Sequence, residues 1–233
     1  DGVAMAQGVV SRFYAIARAM QADPFEILAT AAVRDATNGP AFVEMLRSSM
    51  PGVSIRILSG EEEADHSAIG VMCGIPGASG LVADVGGGSL ELINLAADGR
   101  HHATTLPLGM IRLADRSGGD LEKARQMADA DIEGVKWLSG LQGGTLYLVG
   151  GAFRALARLH IARMQYPLNI VHYYSLDMQE AREMTGWLQN SSRRSLERLP
   201  GAPRKRLDDI PFAATVLRRL MRKVMPEKVV FCV

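Results

Sequence analysis

The sequence predicts an α/β protein of two lobes, on the strength of three observations. Helical and strand-like periodicities alternate through the first third of the chain, as layered α/β folds require. Small turn-forming residues then cluster at Pro76-Gly77-Ala78-Ser79-Gly80 and mark a boundary, giving lobes at 1–78 and 79–233. Beyond it lie three extended runs joined by Gly86-Gly87-Gly88-Ser89 and by the hairpin dipeptide Asp98-Gly99, which predicts an antiparallel meander.

In the first lobe, Val9, Phe13, Ile16 and Met20 recur at helical spacing with Arg12 and Arg18 interleaved, so this segment reads as an amphipathic helix. A strand over 27–33, a helix over 40–49, a β-branched strand over 53–58 and a helix from Glu61, after the Ser59-Gly60 break, complete it. The meander of the second lobe covers 81–85, 90–95 and 101–108. Leu121, Ala124, Ala128, Ile132 and Val135 space a helix over 121–138. A buried strand over 146–149 ends in Gly150-Gly151, from which a helix leaves, and further helices over 176–188 and 212–224 precede a last strand at 229–233.

With 48% hydrophobic and 22% charged residues in 233, the chain can bury a sizeable core, which excludes global disorder and collagen-like structure. Its 24 glycines against 10 prolines point to tight turns rather than a stiff linker. No apolar run approaches the roughly 20 residues of a membrane span. Only Cys73 and Cys232 are present, outside any CxxC pattern, so a disulfide framework or thiolate metal site is not expected and a reducing cytoplasm fits. Net charge is +1, yet most of the 26 basic residues are arginine, whose planar fork matches phosphate oxygens. The chain opens at Asp1 without a start methionine or signal pattern and closes on an apolar run, so both ends read as cut from a longer polypeptide.

Chemistry concentrates in Asp84-Val85-Gly86-Gly87-Gly88-Ser89-Leu90-Glu91. A carboxylate at a strand end followed by Gly86, Gly87, Gly88 and Ser89 offers successive backbone N–H groups to an anion, unobstructed by side chains. Asp84 and Glu91 flank that turn, where carboxylates hold a hydrated Mg²⁺ or orient a water; a plain glycine-rich hairpin is the competing reading. A Rossmann fingerprint would have to open a helix, and no GxxxxGK[ST] loop is present. Glu61, Glu62 and Glu63 start a helix: either a solvated first turn favoured by the helix dipole, or a crowded carboxylate whose raised pKa suits a general base. Arg34 either pairs locally with Asp35 or turns its fork to a phosphate. Gly150 and Gly151, between strand and helix, suit a phosphate or nucleotide, or close helix packing. The basic stretch Arg193, Arg194, Arg198, Arg204, Lys205, Arg206, Arg218, Arg219, Arg222 and Lys223 is a solvated face or a track for a long polyanion. His66, His101, His102, His160 and His172 lack metal-ligand spacing and read as structural or exposed.

Five ordered segments, Ala-Thr-Ala-Ala-Val-Arg-Asp-Ala (29–36), Ile-Leu-Ser-Gly-Glu-Glu-Glu-Ala (57–64), Asp-Val-Gly-Gly-Gly-Ser-Leu-Glu-Leu (84–92), Leu-Pro-Leu-Gly-Met-Ile-Arg-Leu (106–113) and Leu-Val-Gly-Gly (148–151), resemble the exopolyphosphatase/guanosine pentaphosphate phosphatase family. The resemblance implies the two-lobed actin, Hsp70 and sugar-kinase type of fold (ribonuclease H-like). Because the family's opening Asp-x-Gly-Ser-Asn loop has no counterpart here, it also implies a first lobe truncated at its N-terminus. By position, it implies Glu63 as the base that activates water, Asp84 and Glu91 as magnesium- and water-positioning acids, residues 86–89 as a phosphate loop, Arg34 as a phosphate ligand and Gly150 and Gly151 as nucleotide contacts. The reaction implied is Mg²⁺-dependent hydrolysis of a terminal phosphoanhydride of polyphosphate or guanosine pentaphosphate, with no membrane and no specific nucleic acid as partner. A homodimer whose basic stretches extend one polyanion channel is a further expectation. A non-catalytic polyphosphate or nucleotide sensor and an ATP-dependent phosphotransferase of the sugar- or acetate-kinase type are the alternative functions on the same fold.

Overall fold

The computed structural model describes residues 2–96 and 99–233, apart from the side chain of His101, so Asp98 of the expected hairpin lies outside the described residues. The chain divides into two compact units, Asp1–Gly60 and Glu61–Val233.

In the first unit, α1 (Gly2–Ala19), β1 (Glu26–Ala29), α2 (Ala31–Arg34), α3 (Gly39–Ser49) and β2 (Ser54–Ile57) follow in order. The two strands pair in parallel, from Glu26 opposite Ser54 to Ala29 opposite Ile57. The strand expected over 27–33 therefore stops early. Thr30 is extended, and Ala31-Ala32, with high helix propensity, start the single turn that carries Arg34. Val43, Leu46, Met50 and Ile55 form the core, with Val10, Tyr14 and Ile27 packed against it. On α1 this reverses the expected faces: Val10 and Tyr14 point inward, whereas Val9, Phe13, Ile16 and Met20 stay exposed.

The second unit is built on a six-stranded mixed sheet of order β5-β4-β3-β6-β8-β7. Its strands are β3 (Gly80–Val85), β4 (Leu90–Ala96), β5 (Gly99–Leu106), β6 (Thr145–Val149), β7 (Ser175–Asp177) and β8 (Lys228–Phe231). Strands β3, β4 and β5 form the expected meander, and β6 and β8 extend the sheet in parallel from β3. The period-2 alternation of a strand sends consecutive side chains to opposite faces. Leu81, Ala83, Val85, Leu90 and Leu92 thus enter the larger core, shared with α6 (Leu121–Glu133), α7 (Gly151–Arg163), α8 (Met178–Asn190) and α10 (Ile210–Val224). On the other face Val82, Ile93, Leu95, Tyr147 and Val230 receive Ala64, Ala68 and Val71 of α4 (Gly60–Gly74). That packing ties α4 to the second unit, so the division falls after Gly60, ahead of the boundary read from the turn-rich segment 76–80.

Elements not foreseen are α5 (Met110–Ser117), strand β7 and α9 (Arg193–Glu197). The helix expected over 121–138 ends at Glu133, with Gly134 as its C-cap, and a 3-10 turn covers Lys136–Gly140. No described helix is long and apolar enough to cross a membrane.

Candidate active site

The glycine-rich turn joins β3 to β4, and their antiparallel register sets Asp84 directly opposite Glu91. Directly opposed residues share a face, with Cβ atoms roughly 4.5–5.5 Å apart, so Asp84 and Glu91 both leave the sheet on the face that α4 covers. Glu91 and Ser89 are each only 4% exposed. The Gly86 amide donates to the Ser89 carbonyl at 3.0 Å and closes the turn. The carbonyls of Gly86 and Gly87 accept from the first amides of α5, Met110, Ile111 and Arg112, at 3.0 to 3.1 Å. In a trans peptide the N–H points opposite to its C=O, so the Gly87 and Gly88 amides face away from α5. Consecutive amides directed to one side make an anion-binding concavity.

Gly109, in the Leu-Pro-Leu-Gly segment, explains why a second motif accompanies the first. A Cβ there would lie 2.3 Å from Gly88 C and Ser89 N, so only glycine lets α5 approach the turn.

Helix α4 brings the third acid. Glu61, Glu62 and Glu63 occupy its first turn, where the helix dipole favours negative charge. Four residues after Glu63, and so on the same side of the helix, the Ser67 hydroxyl donates to Asp84 Oδ2. Burial is the main cause that holds the Asp84 carboxyl above its ordinary pKa, and the Glu63 charge adds to it; the Ser67 hydrogen bond and the Arg154 charge oppose them. Glu63, among the three glutamates, is the one whose charge acts on Asp84.

At the end of β6, Gly150 has φ of 101°, a conformation that favours glycine, and a Cβ there would meet Val85 O at 2.2 Å. Close packing against β3 is thus one reason for the glycine pair. Next to it, Gly151 borders a cavity of about 460 Å³ at the start of α7, lined by Arg154, Arg158, Arg204, Lys205 and Arg206. The basic stretch consequently splits by role. Arg204, Lys205 and Arg206 line the cavity, Arg206 also pairing with Asp209 at 3.5 Å, whereas away from it Arg193 pairs with Glu197 and Asp208, Arg219 with Asp129 and Lys223 with Glu133. Sequence reasoning points to neither Ser67 nor Arg158, and it holds Arg154 and Gly109 only inside longer segments. Helical spacing from Glu63 and from Gly150 was the signal that would have found the first three.

In the first unit, Arg34 donates to the Leu58 carbonyl at 2.8 Å and pairs with Asp35 at 3.4 Å, so the local pairing is the one observed. His160 is buried and bonds Tyr174 at 2.8 Å, His102 stacks on Trp137, His172 contacts the Gly74 carbonyl and His66 is exposed. No cluster of three or more His, Cys, Asp or Glu side chains suited to a metal occurs among the described residues. The opposed pair Asp84 and Glu91 does fit a hydrated Mg²⁺, which takes one or two carboxylates and keeps waters or phosphate oxygens for the rest.

The chain matches the Ppx/GppA phosphatase family over residues 2–233. It belongs to that family. Exopolyphosphatase 2 of Mycobacterium tuberculosis is 24% identical over 220 residues, covering 87% of this chain and 68% of that protein. Among solved structures, an exopolyphosphatase from Cytophaga hutchinsonii superposes with a TM-score of 0.84 at 20% identity, over 99% of this chain and 77% of its own. The Aquifex aeolicus Ppx/GppA protein gives 0.77 at 18% identity, over 99% and 76%. The fold is therefore that of Ppx/GppA structures. Membership in the Ppx/GppA phosphatase family makes the protein a hydrolytic enzyme.

Proposed function

We propose that this protein removes terminal phosphates from inorganic polyphosphate. The observation that carries the reading is the opposed pair Asp84 and Glu91 beside an amide-lined turn, with Glu63 close enough for its charge to act on Asp84. Hydrolysis of a phosphoanhydride rests on positioning and charge neutralisation more than on covalent chemistry. The Gly87 and Gly88 amides bind the terminal phosphate oxygens. Glu63 accepts a proton from water as the water oxygen attacks the terminal phosphorus; the bridging P–O bond breaks, and the shortened chain and orthophosphate leave. Asp84 and Glu91 would hold a divalent cation, Mg²⁺ in our reading, which supplies charge neutralisation for the phosphates.

The basic cavity supports a chain of phosphates over a nucleotide. Five cationic side chains line it, Arg206 pairing with Asp209 at 3.5 Å, and no aromatic ring is among its described lining residues to stack on a base. Supporting this further, 24% identity links the chain to a protein named exopolyphosphatase 2. The deciding experiment measures orthophosphate release from polyphosphate, guanosine pentaphosphate and ATP with and without Mg²⁺. Mg²⁺-dependent release from polyphosphate is expected. Release from guanosine pentaphosphate alone would redirect the substrate, transfer from ATP to an acceptor would make the protein a kinase, and tight binding without release would make it a sensor.

A further inference from the structure

Ser67 lies outside every motif that points to the site, yet it reaches one of the candidate acids from the helix that carries another. It stands four residues after Glu63 on α4, and its hydroxyl donates to Asp84 Oδ2. Helix α4 is fixed on the sheet beneath it: Ala64, Ala68 and Val71 are each no more than 3% exposed and pack on Val82 and Ile93. Ser67 Oγ is thus delivered to Asp84 by a rigid element rather than by a loop. Asp84 Oδ1 lies on the side of the Gly150 turn, 3.1 Å from where a Cβ of that glycine would sit. One carboxylate oxygen is held by the helix and the other is directed to the junction of β3, β6 and α7.

We propose that Ser67 is a positioning residue for phosphate hydrolysis, fixing the rotation of the Asp84 carboxylate between Glu63 and the Gly150 turn. A carboxylate serves a cation only in a held rotamer, and here the oxygen left over from Ser67 is the one turned to the Gly150 junction. A free Asp84 side chain would also turn away from Glu63, whose like charge repels it. The hydroxyl holds it against that repulsion by occupying Oδ2. Second-sphere hydrogen bonds of this kind are worth about 10- to 100-fold in metal affinity or activity. The inference rests on the phosphatase reading above and on the pairing of Asp84 with Glu91.

The test uses the full chain with Ser67→Ala and Ser67→Thr, with Mn²⁺ as a probe cation followed by electron paramagnetic resonance, alongside kcat and KM for polyphosphate and the thermal midpoint. Ser67→Ala should weaken Mn²⁺ binding and lower kcat by about tenfold each while KM stays within about twofold. Ser67→Thr, which keeps the hydroxyl, should recover both to within about threefold of the parent. Parental Mn²⁺ affinity and kcat in folded Ser67→Ala overturn the proposal, and so does a Ser67→Thr variant as impaired as Ser67→Ala. An active parent paired with an unaffected Ser67→Ala leaves the phosphatase reading standing and removes only the role of Ser67. A parent that neither binds Mn²⁺ nor releases phosphate removes both.

Discussion

Replacing Glu63 by glutamine keeps the size and hydrogen-bonding reach of the side chain and deletes its capacity to take a proton from water. Because general-base catalysis contributes roughly 10²–10⁴-fold, Glu63→Gln should lower kcat for phosphate release by about that factor. Polyphosphate binding by the cationic cavity should stay within about twofold, since Arg154, Arg158 and Lys205 are untouched. Orthophosphate release and filter binding on the same preparations check the two halves separately, and undiminished turnover would remove Glu63 from the role of base. At this scale, the sequence displays the acids but not the hydroxyl that contacts Asp84. Asp84 and Glu91 flank three glycines and stand out in the sequence, and the strand register sets them opposite one another. Ser67 is a common residue on a helix surface, and only the register of α4 on β3 gives it meaning.

The β3–β4 hairpin and α5 act as one unit, and Gly109 is the point where they touch. Its φ of −62° is one that alanine adopts freely, so the demand for glycine there is steric and not conformational. Gly109→Ala would place a methyl 2.3 Å from Gly88 C and Ser89 N, and the turn or α5 must move. Overpacking of this kind costs about 1–3 kcal/mol, which should appear as a lower urea midpoint at unchanged slope. The displaced turn should also raise KM for polyphosphate, while Gly118→Ala, at a helix cap where a Cβ meets no atom within 4 Å, should leave KM unchanged despite its strained φ of 62°. The meander was legible element by element, since Gly86–Ser89 and strand-like runs are local signals. Helix α5 was not, because its short Met110–Ser117 run carries no side-chain N-cap bond and is held through amides docked on the Gly86 and Gly87 carbonyls. On α1 the strongest apolar spacing marked the exposed side, a reminder that periodicity locates a face but not what that face packs against.

Across the whole molecule, pH acts on stability through buried groups with opposite signs, and His160 can be separated from the rest. Burial holds its imidazole below the ordinary value of 6.5, Arg163 adding to this and Glu180 opposing it. Its partner Tyr174 is pushed up to about 12, mainly by burial, so the pair is neutral at pH 7. The folded chain then resists protonation that the unfolded chain accepts, so the stability from His160 is present above 6.5 and is lost as pH falls through its lower folded value. Asp84 and Asp209, both raised chiefly by burial, contribute the reverse: their stabilisation is present at low pH and is lost as pH rises through their folded values. The parent profile alone therefore mixes opposing slopes. Subtracting the profile of His160→Gln isolates the histidine, because the aspartates are common to both. Urea midpoints measured from pH 5 to 8 should show the parent losing more stability than His160→Gln on acidification below 6.5, and parallel profiles would place the His160 ring in water rather than in the core.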